Sequence, residues 1–222
     1  LSLIAGPVGL LALTGILSNV AFVTFTSAIP LWLVHSHGIS YDSTLIGWTL
    51  SAFSLAAALG GVAGGMISSR LGAKRLIVIS SLLALLPLNT IFFLIPGSVS
   101  YFVMVILAGA LVNAGMPLLI VSAQDFSPKN AATASGMLMG FSAGVAGLIY
   151  VGIGRLQEGM GLVPAMSIGY LALIAAGVSA VIAFKSRQPV EIDFTPAKIL
   201  NCVCSPCIDQ NIEAYPIRTY VP

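Results

Sequence analysis

The sequence predicts an all-α integral membrane protein, a bundle of six spanning helices. Three observations predict it. Hydrophobic residues make up 58% of the chain and charged residues only 7%, against about 25% charged in a soluble domain. Mean hydropathy is +1.04. Six long apolar stretches carry no Lys, Arg, Asp or Glu in their interiors. A water-exposed surface cannot be built from so few charges. That excludes a soluble enzyme, a nucleic-acid-binding protein and a disordered chain. The net charge of +2 is too small to point to an acidic partner.

A helix crosses about 30 Å of hydrocarbon with about 20 residues. The stretches 8–34, 43–68, 76–96, 98–123, 131–154 and 162–184 meet that length. Lipid offers backbone groups no partners, so each segment must satisfy its own as a helix. The alternation of a barrel strand is missing. Loops are expected at His35 to Asp42, Ser69 to Arg75, Pro96 and Gly97, Gln124 to Asn130, and Arg155 to Gly161. The chain opens on Leu1 and enters apolar sequence with no signal-peptide region. That start reads as a fragment boundary or an internal cut.

Orientation follows from Lys and Arg near the span ends. The second loop carries Arg70, Lys74 and Arg75, the fourth carries Lys129, and the end of the sixth span carries Lys185 and Arg187. The first and third loops carry none and the fifth only Arg155. The second and fourth loops and both termini are therefore expected in the cytoplasm. The six-helix domain is read as 1–186, and 187–222 as a polar cytoplasmic tail. Beyond about Phe194 the tail holds Pro196, Pro206, Pro216 and Pro222 and shows no helical period, which predicts disorder. Its Cys202, Cys204 and Cys207 allow three readings: disordered thiols, a zinc site short of its usual fourth ligand, or a tail foreign to the fold through fusion or an altered frame. His35 and His37 lack a third ligand nearby and read as polar loop residues, so no metal is expected.

Glycine is patterned within the spans. Gly60 and Gly64 are four apart, as are Gly61 and Gly65. Gly136, Gly140 and Gly144 share one stripe, with Gly147 close by. Such stripes let helices approach closely in lipid. They suit either static packing or a smooth surface that rocks. The second loop runs from Gly65 through Ser69, Arg70, Gly72, Lys74 and Arg75, a cationic tight turn. Charge alone makes it a positive-inside turn, with Arg70 able to reach carbonyls at a helix C-terminus.

This run resembles the signature loop of the major facilitator superfamily, G-x-L-A-D-R-x-G-R-K. Gly65, Arg70, Gly72 and Lys74 match it, and Ser69 stands where the family usually has Asp. That Asp ties the loop to a neighbouring helix in one conformation. A second run, from Gln124 and Pro128 to Ala134-Ser135-Gly136 and Gly140, resembles the loop between helices ten and eleven of the fosmidomycin-resistance type. The resemblance covers about 1–185. It implies the C-terminal half-bundle of the facilitator fold, helices seven to twelve, made of two inverted three-helix repeats. Gly152-Ile153-Gly154-Arg155-Leu156 is a faint echo of the Gly65 to Leu71 run, on the opposite face.

The resemblance also implies that the first, second, fourth and fifth spans line a central cavity. Asn19, Phe22 and Thr26 share a face of the first span, and Asn113 lies beside Gly115 and Pro117, where a kink frees backbone groups. Those four are the cavity candidates; the alternative is that they hydrogen-bond between helices. Gly65, Ser69, Arg70, Gly72 and Lys74 form the gating loop. No ionisable residue lies in a span interior, where one usually marks a proton path, so a proton site is expected outside this chain. The resemblance implies proton-linked export of a drug or metabolite from a bacterial inner membrane, with protons, the bilayer and a missing N-terminal half or second copy as partners. No nucleotide motif is present and no cofactor is expected. Two rivals remain. One is an inactive or partner-dependent half that scaffolds. The other is an intramembrane protease with Ser135 as nucleophile, for which the only histidines lie at the opposite face.

Overall fold

The computed structural model describes residues 7–126 and 131–185. All regular structure there is helical. α1 is Pro7–His37, α2 Thr44–Leu71, α3 Ala73–Thr90, α4 Val99–Asn113, α5 Met116–Phe126, α6 Ala131–Gly136, α7 Ser142–Met160 and α8 Leu162–Lys185. They make six apolar spans of membrane length. α4 and α5 form the fourth span, broken at Ala114 and Gly115. α6 and α7 form the fifth, joined through a π-helical turn at Met137–Phe141. The tail with its three cysteines, Lys129 and Pro128 lie outside the described residues.

Several helices continue through residues expected in loops. α2 reaches Leu71 and α3 starts at Ala73, so Arg70 sits in a last helical turn and Gly72 alone is the connection. α7 likewise runs through Arg155 and Glu158 to Met160, and only Gly161 precedes α8. Charge marks where a span leaves the membrane. It does not end a helix, whose backbone bonds continue into water. A glycine backbone ends these two. Gly72 has φ 80 and ψ 144 and Gly161 has φ 89 and ψ 165, a region essentially reserved to glycine. Each donates its N–H to the carbonyl four residues back, Ser68 at 2.9 Å and Gln157 at 3.1 Å.

Those turns reveal the internal repeat. The first span packs on the second, fourth, fifth and sixth, the second on the third and fourth, the third on the fourth and sixth, and the fifth on the fourth and sixth. Exchanging spans one, two and three for four, five and six returns the same set of neighbours. Three spans is an odd number, so the second triplet enters the membrane from the other side. Aligned on the turns, Gly72 pairs with Gly161 and Gly65 with Gly154. Arg70 then pairs with Gly159. The echo that matched Arg70 to Arg155 is therefore out of register by one helical turn, because a shared residue type is a weaker guide than a shared backbone conformation.

The core forms two large clusters toward opposite ends of the bundle, with a small third of Val20, Ala146 and Ile153 between the first and fifth spans. One packs Phe25, Trp32, Phe53, Leu88, Tyr101 and Tyr170 toward the Pro96-Gly97 end. The other packs Leu11, Ile77, Leu119, Leu138 and Ala180 toward the Gly72 end. Between them α2 meets α4 at backbone distance. A Cβ at Gly60 would strike the backbone of Ala110, one at Gly64 that of Ala114, and one at Gly109 the carbonyl of Phe53. A Cβ at Gly61 would stand 3.4 Å from the Pro117 ring. Gly136, Gly140 and Gly144 differ from their expected packing role. Nothing described comes within 4 Å of where their Cβ atoms would stand. Spacing puts three glycines on one helix face, but what lies opposite depends on the tertiary arrangement.

Gly60→Ala should cost about 1–3 kcal/mol, since the helices must part to admit the methyl group. Gly144→Ala, on the open stripe, should stay within about 0.5 kcal/mol. Thermal unfolding of the purified variants in detergent checks both.

Candidate functional site

The Gly72 turn brings together the cationic run. Arg70 ends α2, where the helix dipole favours a cation. Lys74 and Arg75 open α3, where it does not, so the membrane boundary accounts for their position rather than the helix. All three are exposed. The expected contact of Arg70 with terminal carbonyls is not made. The Gly72 N–H takes the Ser68 carbonyl, while Ser68 Oγ donates to the Gly65 carbonyl and Ser69 Oγ to that of Met66, both at 2.7 Å. Ser69 thus bonds inside its own helix. An Asp there could not donate to a carbonyl and would be free to accept from elsewhere.

The second motif is joined across the membrane-end break between spans four and five. Gln124 Nε2 of α5 donates to Ser135 Oγ of α6 at 2.7 Å, and Ser135 Oγ donates to the Ala131 carbonyl at 2.9 Å. His35 and His37 end α1 at the other end of the bundle, so they do not serve Ser135 as a base. Among the described residues no three of His, Cys, Asp and Glu group as metal ligands.

Of the cavity candidates, the two asparagines make matching bonds. Asn19 Nδ2, in the first span of its triplet, donates to Ser142 Oγ in the fifth span at 3.0 Å. Asn113 Nδ2, in the first span of the other triplet, donates to the Ala57 carbonyl in the second span at 3.0 Å. Each triplet therefore holds the middle helix of the other through one amide. The Ser142 end is a worked example of a π turn being satisfied. The Ser142 N–H goes to the Met137 carbonyl, which strands the Leu138 carbonyl, and Ser142 Oγ donates to that carbonyl instead. Phe22 packs on Phe53 with ring centroids 5.4 Å apart, one turn from Ala57 on α2. Thr26 Oγ1 donates to the Phe22 and Val23 carbonyls of its own helix. All four side chains are half-buried, with three of them directed at neighbouring helices.

The structure also gathers residues that the sequence scatters. At the end of the bundle opposite Gly72, α1, α7 and α8 enclose a cleft of about 690 Å³, lined by Leu31, His35, Val151, Arg155, Gln157 and Glu158 among others. Arg155 and Glu158 have no ion pair or hydrogen bond among the described residues. Gln157 Nε2 is buried without a partner. The signal available in the sequence was Arg155 and Glu158 at i, i+3, which share a face only if the helix continues past Gly154.

Asn113→Leu should cost about 0.6–2 kcal/mol, the range for interhelical hydrogen bonds in membranes, and Asn19→Leu a similar amount. Thr26→Val, which removes no bond between helices, should cost less than either. Melting temperatures of the three variants in one detergent check the ranking.

Comparison with curated proteins returns no match. The sequence profile of the Major Facilitator Superfamily matches residues 11–199, which takes in the six spans, the Gly72 turn and both asparagine bonds. The chain belongs to the Major Facilitator Superfamily, whose members carry small molecules across membranes, and it is a multi-pass integral membrane protein of that family.

Proposed function

We propose that the chain is the C-terminal six-helix half of a facilitator of the fosmidomycin-resistance type, exporting a drug or metabolite in exchange for protons by alternating access. The observation that supports a six-helix half is the neighbour set that maps onto itself under exchange of the two triplets, and the C-terminal assignment rests on the resemblance of the Gln124 to Gly140 run. Such a half moves as one body, because each triplet clamps the other through Asn19 and Asn113. It rocks against a second half, supplied by an N-terminal six-helix partner or by a second copy of this chain. The outward stripe at Gly136, Gly140 and Gly144, with no neighbour opposite, supports a partner that slides on that face. It equally favours the second reading, a half that transports nothing until its partner is present.

Ser69, Arg70, Gly72 and Lys74 form the gating turn, with Gly65 just over one helical turn before it. Among the described residues Arg70, Lys74, Arg75 and Lys185 lie at one end of the bundle and Arg155 at the other. That bias supports placing the Gly72 end and both termini in the cytoplasm, with a bacterial inner membrane as the setting. Proton coupling and fosmidomycin-type substrates rest on the resemblance of the Gln124 and Ser135 run. Central-cavity roles for Asn19, Phe22, Thr26 and Asn113 rest on their place in the first and fourth spans.

Transport is tested in proteoliposomes holding the chain alone or with a candidate partner half. Fosmidomycin serves as probe and an imposed pH gradient as drive. Gradient-dependent movement in either preparation supports the reading, and its absence in both overturns it. Arg70→Ala should slow transport about tenfold, within the usual range of a conformational coupling, while membrane insertion stays intact. Unchanged transport would remove the gating role.

A further inference from the structure

The cleft between α1, α7 and α8 is built for a particular charge pattern. Arg155 and Glu158 lie three residues apart on one face of α7 and line it together. Residues at that spacing are close enough to pair, yet neither is engaged among the described residues. Both charges are therefore presented to whatever enters. Their sum is zero, so the occupant that suits both is neutral overall and carries an anion and a cation a few ångströms apart. A guanidinium matches an anion with two or more oxygens in a fork. A carboxylate takes an ammonium best when the nitrogen still has protons to donate. Gln157 supplies an amide whose Nε2 has no partner, and His35 a further polar group at the end of α1.

Apart from Tyr150, the rest of the cleft is apolar. Leu31, Val151 and Leu162 line it, and Leu148, one turn further into the membrane on α7, is 74% exposed. Leu148, Val151, Arg155 and Glu158 make one stripe along the helix, apolar in the bilayer and charged at its boundary. That is the profile of a phospholipid, headgroup above and acyl chain below. We infer that this cleft binds a zwitterionic headgroup of the phosphoethanolamine type, with the phosphate on Arg155 and the primary ammonium on Glu158. The site lies between the first, fifth and sixth spans at the end opposite the Gly72 turn, and its occupancy can be read without a transport assay.

Native mass spectrometry of the purified full chain in mild detergent tests it, titrated with phosphatidylethanolamine, phosphatidylcholine and phosphatidylglycerol of the same acyl chains. The choline headgroup keeps the charge but cannot donate a hydrogen bond, and the glycerol headgroup has no cation. Phosphatidylethanolamine should be retained about fivefold over either, the worth of one modest ionic contact. Arg155→Gln and Glu158→Gln should each abolish the preference, and Lys74→Gln, at the opposite end, should leave it unchanged. Free phosphoethanolamine added to lipid-stripped protein forms the second arm. A rise in melting temperature that both variants lose, without a lipid preference, keeps the zwitterion site and makes its ligand soluble. Equal retention of all three lipids with no response to free phosphoethanolamine overturns the inference, as does a preference that survives both variants.

Discussion

The bundle depends on the backbone contact between the second and fourth spans. Gly60 and Gly64 admit Ala110 and Ala114 so closely that no side chain could stand between. In lipid there is no hydrophobic gain from joining two apolar helices, so contact area and hydrogen bonds must hold them. Once the two backbones meet, Asn113 is brought within reach of the Ala57 carbonyl, and Pro117 lies against Gly61. The break at Ala114 and Gly115 sits at the same level, where the missing proline N–H leaves a carbonyl without its helical donor. Close approach, amide bond and helix break are thus one local arrangement.

The corresponding seam between the first and fifth spans is solved differently. There Asn19 meets a hydroxyl, Ser142, at the end of a π turn. The glycines of the fifth span face away from that seam. The second span therefore sets Gly60, Gly61 and Gly64 against the fourth, while the fifth turns Gly136, Gly140 and Gly144 away from its described neighbours. An inverted repeat need not be chemically symmetric, since only the helix neighbours must correspond. The two single-glycine turns show which parts must match. Gly72 and Gly161 share a backbone conformation, although the residues around them have diverged into a cationic turn at one end and the wall of a cleft at the other.

Sequence alone determined that the protein lies in a membrane, that it has six spans, and that its family is that of the facilitators, because hydropathy over about 20 residues is a property of composition and the Gly65 to Lys74 run is contiguous. It did not determine where helices stop. Polar residues at Arg155 and Glu158 look like a loop, but helix ends are set by backbone bonds, and φ at Gly161 ends this one. Nor could spacing separate the glycines that pack from those that face outward. Gly60 and Gly140 look alike along the chain, and only the position of a neighbouring backbone distinguishes them. The asparagine bonds and the cleft of His35, Arg155 and Glu158 join residues more than fifty apart in sequence. Such groupings depend on which helices are adjacent, and adjacency is decided by packing across the whole bundle, which no local pattern encodes.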